Sequence, residues 1–105
     1  MVVISRTPRK DIAVPVRLVF TGGAILLGDS VNISNTGMLV LAEEARPVGT
    51  HFRFQCPDFK GMGEIVWTRD SEPGVQFLKL LGIKFLPLEP SDRKALDELL
   101  DDSVG

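Results

Sequence analysis

Asn32-Ile33-Ser34-Asn35-Thr36-Gly37 reads N-x-S-x-x-G, and it lies between an apolar stretch that includes Ile25-Leu26-Leu27 and the run Met38-Leu39-Val40-Leu41-Ala42. Asn and Ser bond their own backbone and Gly accepts conformations closed to other residues. Taken alone, the cluster is a turn joining two strands.

The flanking sequence extends that reading in both directions. Upstream, Ile12, Val14, Val16, Leu18 and Phe20 alternate with Ala13, Pro15, Arg17 and Val19, the period of two of a strand with one buried face. Pro15 marks it as an edge or bulged strand. Gly22-Gly23 turns the chain into a second strand, Ala24 to Ser34, and Gly37 turns it into a third, Met38 to Ala42. After Arg46-Pro47-Val48-Gly49, the residues Phe52, Phe54 and Cys56 face one way while His51, Arg53 and Gln55 face the other, giving a fourth. Met62 to Arg69 supplies a fifth, Asp70 to Gly74 a solvent turn, and Leu80 to Leu86 a sixth. Short strands separated by turns predict an antiparallel barrel or two-sheet β fold. Only the tail has a helical pattern: Pro90 suits a first helical position, Asp92 the positive end of the helix dipole, and Leu96, Leu99 and Leu100 share a face able to plug a barrel end.

A chain of 105 residues is one domain's worth, large enough to bury a core without staples. The expected organisation is a basic arm over residues 1–11, a barrel over 12–88, and a helix with its tail over 89–105. No apolar run approaches the ~18 residues needed to span a bilayer, and Met1-Val2-Val3-Ile4-Ser5 lacks the charged and long apolar regions of a secretion signal. The expected compartment is the cytoplasm, without membrane insertion. Cys56 is the only cysteine, so neither a disulfide framework nor a thiolate metal site is expected.

The formal net charge of −2 disfavours nucleic-acid binding, which relies on many cationic contacts to phosphate. Its distribution is uneven: Arg6-Thr7-Pro8-Arg9-Lys10 holds three cations and no acid, whereas Asp97, Glu98, Asp101 and Asp102 make the other end acidic. A small anion with two phosphates could be held by the first patch. An enzyme is not expected, since the single His51 has no nucleophile or carboxylate at a recognisable sequence spacing. His51 and Cys56 lie on opposite faces of one strand and cannot share a metal. Trp67, with Ile65 assigned to its own face by simple alternation, reads as a core or rim residue rather than a platform for a base.

Together the arginine cluster and the N-x-S-x-x-G segment resemble the PilZ domain, whose fingerprint is R-x-x-x-R in an N-terminal arm followed by [DN]-x-S-x-x-G on a barrel strand. Gly63-Glu64-Ile65-Val66-Trp67 is similar to the family's late strand, Gly82-Ile83-Lys84-Phe85 to its last, and Pro90-Ser91-Asp92-Arg93 to the start of its closing helix. The resemblance implies a six-stranded antiparallel β-barrel with a C-terminal α-helix, and a non-enzymatic receptor for cyclic di-GMP that acts on a protein partner in motility, pilus or surface-behaviour control. By the same resemblance Arg9 matches the second arginine of the arm, with Arg6 beside the position of the first and Lys10 adding charge. Asn32 matches the residue that reads a guanine edge, Ser34 the serine that supports it, and Gly37 the glycine that admits close approach. Aligned through Pro8-Arg9, the first arginine position falls on Ser5. That departure keeps a second expectation open, a domain that binds no nucleotide and serves as a protein interaction module.

Overall fold

The computed structural model describes residues 9–72 and 75–101. Six strands close a barrel: β2 (Pro15–Val19), β3 (Ile25–Ser34), β4 (Gly37–Ala42), β5 (His51–Gln55), β6 (Lys60–Glu72) and β7 (Val75–Phe85). All neighbours are antiparallel, in the order β3-β2-β5-β6-β7-β4, and β4 returns to pair with β3. Closure removes the unpaired edges of an open sheet. A two-residue strand, β1 (Arg9–Lys10), adds to β3 beyond the end of β2, and α1 (Pro90–Asp101) follows the barrel.

Alternation places the core as the sequence predicts in β2 and β5. Val16, Leu18, Phe52 and Phe54 are buried while Arg17, His51, Arg53 and Gln55 are exposed. Phe54, Phe59 and Phe85 meet with ring centroids 5.2 to 5.7 Å apart, Phe59 edge-on to the other two and Phe54 stacked on Phe85. Leu96 of α1 is fully buried, with Leu99 and Leu100 packed against the same core, so the helix closes the barrel end. Asp92 fixes the start of that helix by accepting from the Lys60 amide at 3.1 Å. Pro15 opens β2, and β5 pairs only with Arg17, Leu18 and Val19, so the missing proline donor interrupts no ladder on that side.

Two strands run further than turn chemistry suggests. Asp70, assigned to a turn by sequence, pairs with Lys79, and Glu72 pairs with Val75, so the β6–β7 pairing runs into the stretch expected as a solvent turn, whose Pro73 and Gly74 lie outside the described residues. An ion pair between Lys79 and Asp70 supports this extension, where an apolar alternation is absent.

Two β-bulges decide which side chains face outward. On β3 the register against β4 shifts between Ser30 and Asn32; on β6 the register against β7 shifts between Ile65 and Trp67. A bulge inserts one extra residue and so inverts which face the following side chains occupy. Ser30 and Ile65 point into the core, yet Asn32 and Trp67, each two residues later, lie on the outer side. Trp67 is 39% exposed. Its assignment to the face of Ile65 is thereby corrected: Val66 is the extra residue that turns it outward.

Candidate ligand-binding surface

The N-x-S-x-x-G segment spans the end of β3, a two-residue turn and the start of β4. Ser34 is fully buried, and its hydroxyl organises the turn: Oγ accepts from the amides of Thr36 at 3.3 Å and Gly37 at 3.2 Å and donates to the Gly37 carbonyl oxygen at 3.2 Å. Gly37 is absent from the positive-φ positions, which are Gly22, Gly23 and Gly49. What demands glycine here is space, because a Cβ would stand 2.2 Å from the carbonyl oxygen of Ile83 on β7. The close approach at Gly37 is therefore between two strands of the barrel. The far side of the turn is held by Arg93 of α1, whose guanidinium donates to the Asn35 carbonyl oxygen at 2.7 Å.

Asn32 is half-buried and belongs to a row that crosses four strands in register: Asn32 opposite Leu39, Leu39 opposite Gly82, Gly82 opposite Trp67. The Trp67 ring lies over Gly82, where a Cβ would stand 2.3 Å from the indole Nε1. Arg69 places its guanidinium carbon 5.2 Å from the ring centroid, within cation–π range. Asn32, Leu39, Trp67 and Gly82 line one shallow depression of about 240 Å³ with Met38, Val66 and Ile83.

The basic arm arrives at the same strand from its other side. β1 pairs Arg9 with Ser34 and Lys10 with Ile33. Arg9, Lys10, Asn32, Ser34 and Gly37 are thus brought together around the end of β3, whereas Arg6 and Ser5 lie outside the described residues. Lys10 also lines a larger open groove of about 800 Å³ between the arm and α1, whose walls mix Arg93 and Lys94 with Asp97, Glu98 and Asp101. Its acidic wall repels phosphate, so size alone does not make it the better anion site.

Sequence reasoning missed two features of this surface. Ser30 is buried beside the arm, and the signal for it was a polar residue at an inward position of β3, two residues before Asn32. Glu64, which stands opposite His51 with Oε1 3.4 Å from Nε2, is brought there by cross-strand pairing rather than by spacing along the chain. His51 is exposed and Glu64 half-buried, and among the described residues no group of three potential metal ligands forms. Burial, with the Asp58 carboxylate as a second cause, pushes the Cys56 thiol up from about 9 to about 12. A neutral thiol neither attacks nor ligates readily.

The PilZ domain family profile matches residues 4–102, almost the whole chain. The chain belongs to the PilZ domain family. No curated protein matches the sequence significantly. Among solved structures, the chain is similar to the inhibitor of motility MotI/DgrA of Bacillus subtilis, with a TM-score of 0.76 and 13% identity over 98% of this chain and 52% of that one. This PilZ domain spans about half the length of that protein. It is similar also to the PilZ domain of YcgR from Escherichia coli, determined with c-di-GMP, with a TM-score of 0.71 and 17% identity over 92% of this chain and 88% of that one. At these identities the likeness is one of fold.

Proposed function

We propose that this domain is a non-enzymatic cyclic di-GMP receptor that passes the level of the messenger to a protein partner in the cytoplasm, in control of motility, pilus or surface behaviour. The observation that carries the reading is the pairing of Arg9 with Ser34, which sets the basic arm alongside the strand that bears Asn32. Guanidinium groups fork onto phosphate oxygens and onto the O6/N7 edge of guanine, and an amide side chain can bond a purine edge. In this reading Arg9, with Arg6 and Lys10, holds the phosphates and one guanine edge. Asn32 bonds the guanine, Ser34 and Gly37 keep the Asn32 strand and its turn in place, and Trp67 offers the base a flat face along the same row. A ligand bridging the arm and β3 would order the arm, and the reshaped surface would alter contact with the partner.

Ser5 supports a second reading. Loss of one charge-assisted contact costs roughly 1.5–3 kcal/mol, about ten- to a hundredfold in affinity. A domain so weakened would serve as a protein interaction module without nucleotide. Calorimetric titration with cyclic di-GMP, against GMP, GTP and cyclic di-AMP as controls, separates the two. Saturable heat with cyclic di-GMP in preference to the controls supports the receptor; no heat at several hundred micromolar ligand leaves the interaction module.

A further inference from the structure

Ser30 is 2% exposed and has no place in the N-x-S-x-x-G motif, yet its hydroxyl makes two bonds to the chain segment that carries the arm. Between the pairs Lys10–Ile33 and Pro15–Asp29, the four residues Asp11 to Val14 face only three, Ser30 to Asn32. The ladder cannot be regular there. The chain kinks, with the Ile12 amide donating back to the Lys10 carbonyl oxygen at 2.9 Å. Ser30 takes up the backbone groups this kink would strand: Oγ accepts from the Val14 amide at 2.9 Å and donates to the Ile12 carbonyl oxygen, while its own amide donates to the Val14 carbonyl oxygen at 2.9 Å. Backbone groups left unpaired away from water are costly, and this hydroxyl satisfies two that are partly buried.

The same residue precedes the bulge that turns Asn32 outward. Ser30 therefore stands where the two halves of the surface are aligned, with the arm on one side of β3 and the Asn32 row on the other. A two-residue pairing such as Arg9–Lys10 with Ile33–Ser34 has little stability of its own and depends on what fixes its register. A slip of one residue would put Lys10 opposite Ser34 in place of Arg9 and turn every arm side chain to the other face.

We propose that Ser30 is the positioning residue of the arm: its buried hydroxyl pins the Asp11–Val14 kink and so sets the register in which Arg9 lies beside Ser34. The functional consequence rests on the receptor reading above, whereas the docking of the arm does not. The test is residue-resolved amide hydrogen exchange on the full chain without ligand, comparing the parent with Ser30→Ala. Exchange of the Arg9, Lys10, Val14, Ile33 and Ser34 amides should accelerate about tenfold or more relative to the amides of β5 and β6. Acceleration spread evenly over the barrel would make Ser30 a general core residue and overturn the proposal, as would unchanged exchange at β1. Should Ser30→Ala fail to fold, the parent decides alone: with added urea, Val14 and the β1–β3 amides should open as one unit below the barrel's own opening free energy. Val14 opening with the barrel while β1 exchanges at the rate of a free peptide would overturn it. Calorimetry then addresses function: Ser30→Ala should bind cyclic di-GMP about tenfold more weakly. An unchanged affinity with a loosened arm would refute the role in binding. Absence of binding by the parent itself would instead remove the receptor reading and leave the exchange result standing.

Discussion

Arg93 of α1 reaches across 58 positions of sequence to bond the backbone of Asn35, its Nη1 2.7 Å from the carbonyl oxygen. The helix that plugs the barrel is thereby tied to the turn of the N-x-S-x-x-G segment. In the receptor reading, a ligand that shifts this turn would reach α1 through Arg93, and Asp97, Glu98 and Asp101 of α1 are exposed.

Replacing Arg93→Ala should cost about 1 kcal/mol, the low end for a bond to a charged group because the side chain is partly solvated. Thermal unfolding should show a fall in Tm of about 4 °C. Amide shifts in α1 on ligand addition should also shrink while those at Asn32 persist. An unaltered response in α1 would show that the Arg93 contact carries no signal.

Gly37→Ala should be damaging even though the backbone at Gly37 is open to any residue. The added Cβ would meet the Ile83 carbonyl oxygen at 2.2 Å, and neither strand can yield without breaking the β4–β7 ladder. Urea unfolding should show a loss of about 2–3 kcal/mol. A change within about 0.5 kcal/mol would mean that the turn relaxes freely.

Trp67 is the only tryptophan, so its emission reports this surface alone. Cyclic di-GMP should quench or shift that emission as it saturates, and Trp67→Ala should weaken binding by about tenfold, within the range of one base stacked on an aromatic ring. Binding by calorimetry with unchanged emission would place the base elsewhere.

Cys56 should resist thiol reagents in the folded protein at pH 8 and react on unfolding, because burial holds its pKa near 12. The raised value means that the folded state keeps its proton longer than the unfolded chain. Its contribution to stability is fully present below about pH 9 and is lost as pH rises from there to about 12. Stability of a Cys56→Ala variant should therefore fall less steeply over that window than the parent's, in urea titrations at each pH.

The barrel was legible where period-two alternation runs unbroken, as in Phe52 and Phe54 of β5 or Val16 and Leu18 of β2. It was illegible at the bulges, since nothing in Ser30-Val31-Asn32 or Ile65-Val66-Trp67 marks the extra residue, and one such residue reverses every later side chain. That is why alternation assigns Trp67 to the face of Ile65. β1 escapes notice for a different reason: two cationic residues carry no apolar pattern, and the segment that follows them is bonded by a residue distant in sequence, Ser30 on β3. The motif itself was visible as a motif, but the division of labour within it was not. Ser34 and Gly37 hold the turn through contacts to the backbone, and Asn32 alone of the three faces the shallow depression shared with Trp67.

If a guanine dinucleotide bridges the arm and the Asn32 row, backbone amide shifts recorded during a cyclic di-GMP titration report both sides of the bridge at once. Saturable shifts should concentrate at Arg9, Lys10, Asn32 to Gly37 and Trp67, largely lost in Arg9→Ala and less so in Lys10→Ala, since only the guanidinium forks onto phosphate or guanine. Absence of shifts at several hundred micromolar ligand, or shifts confined to the β2–β5 side of the barrel, would contradict it.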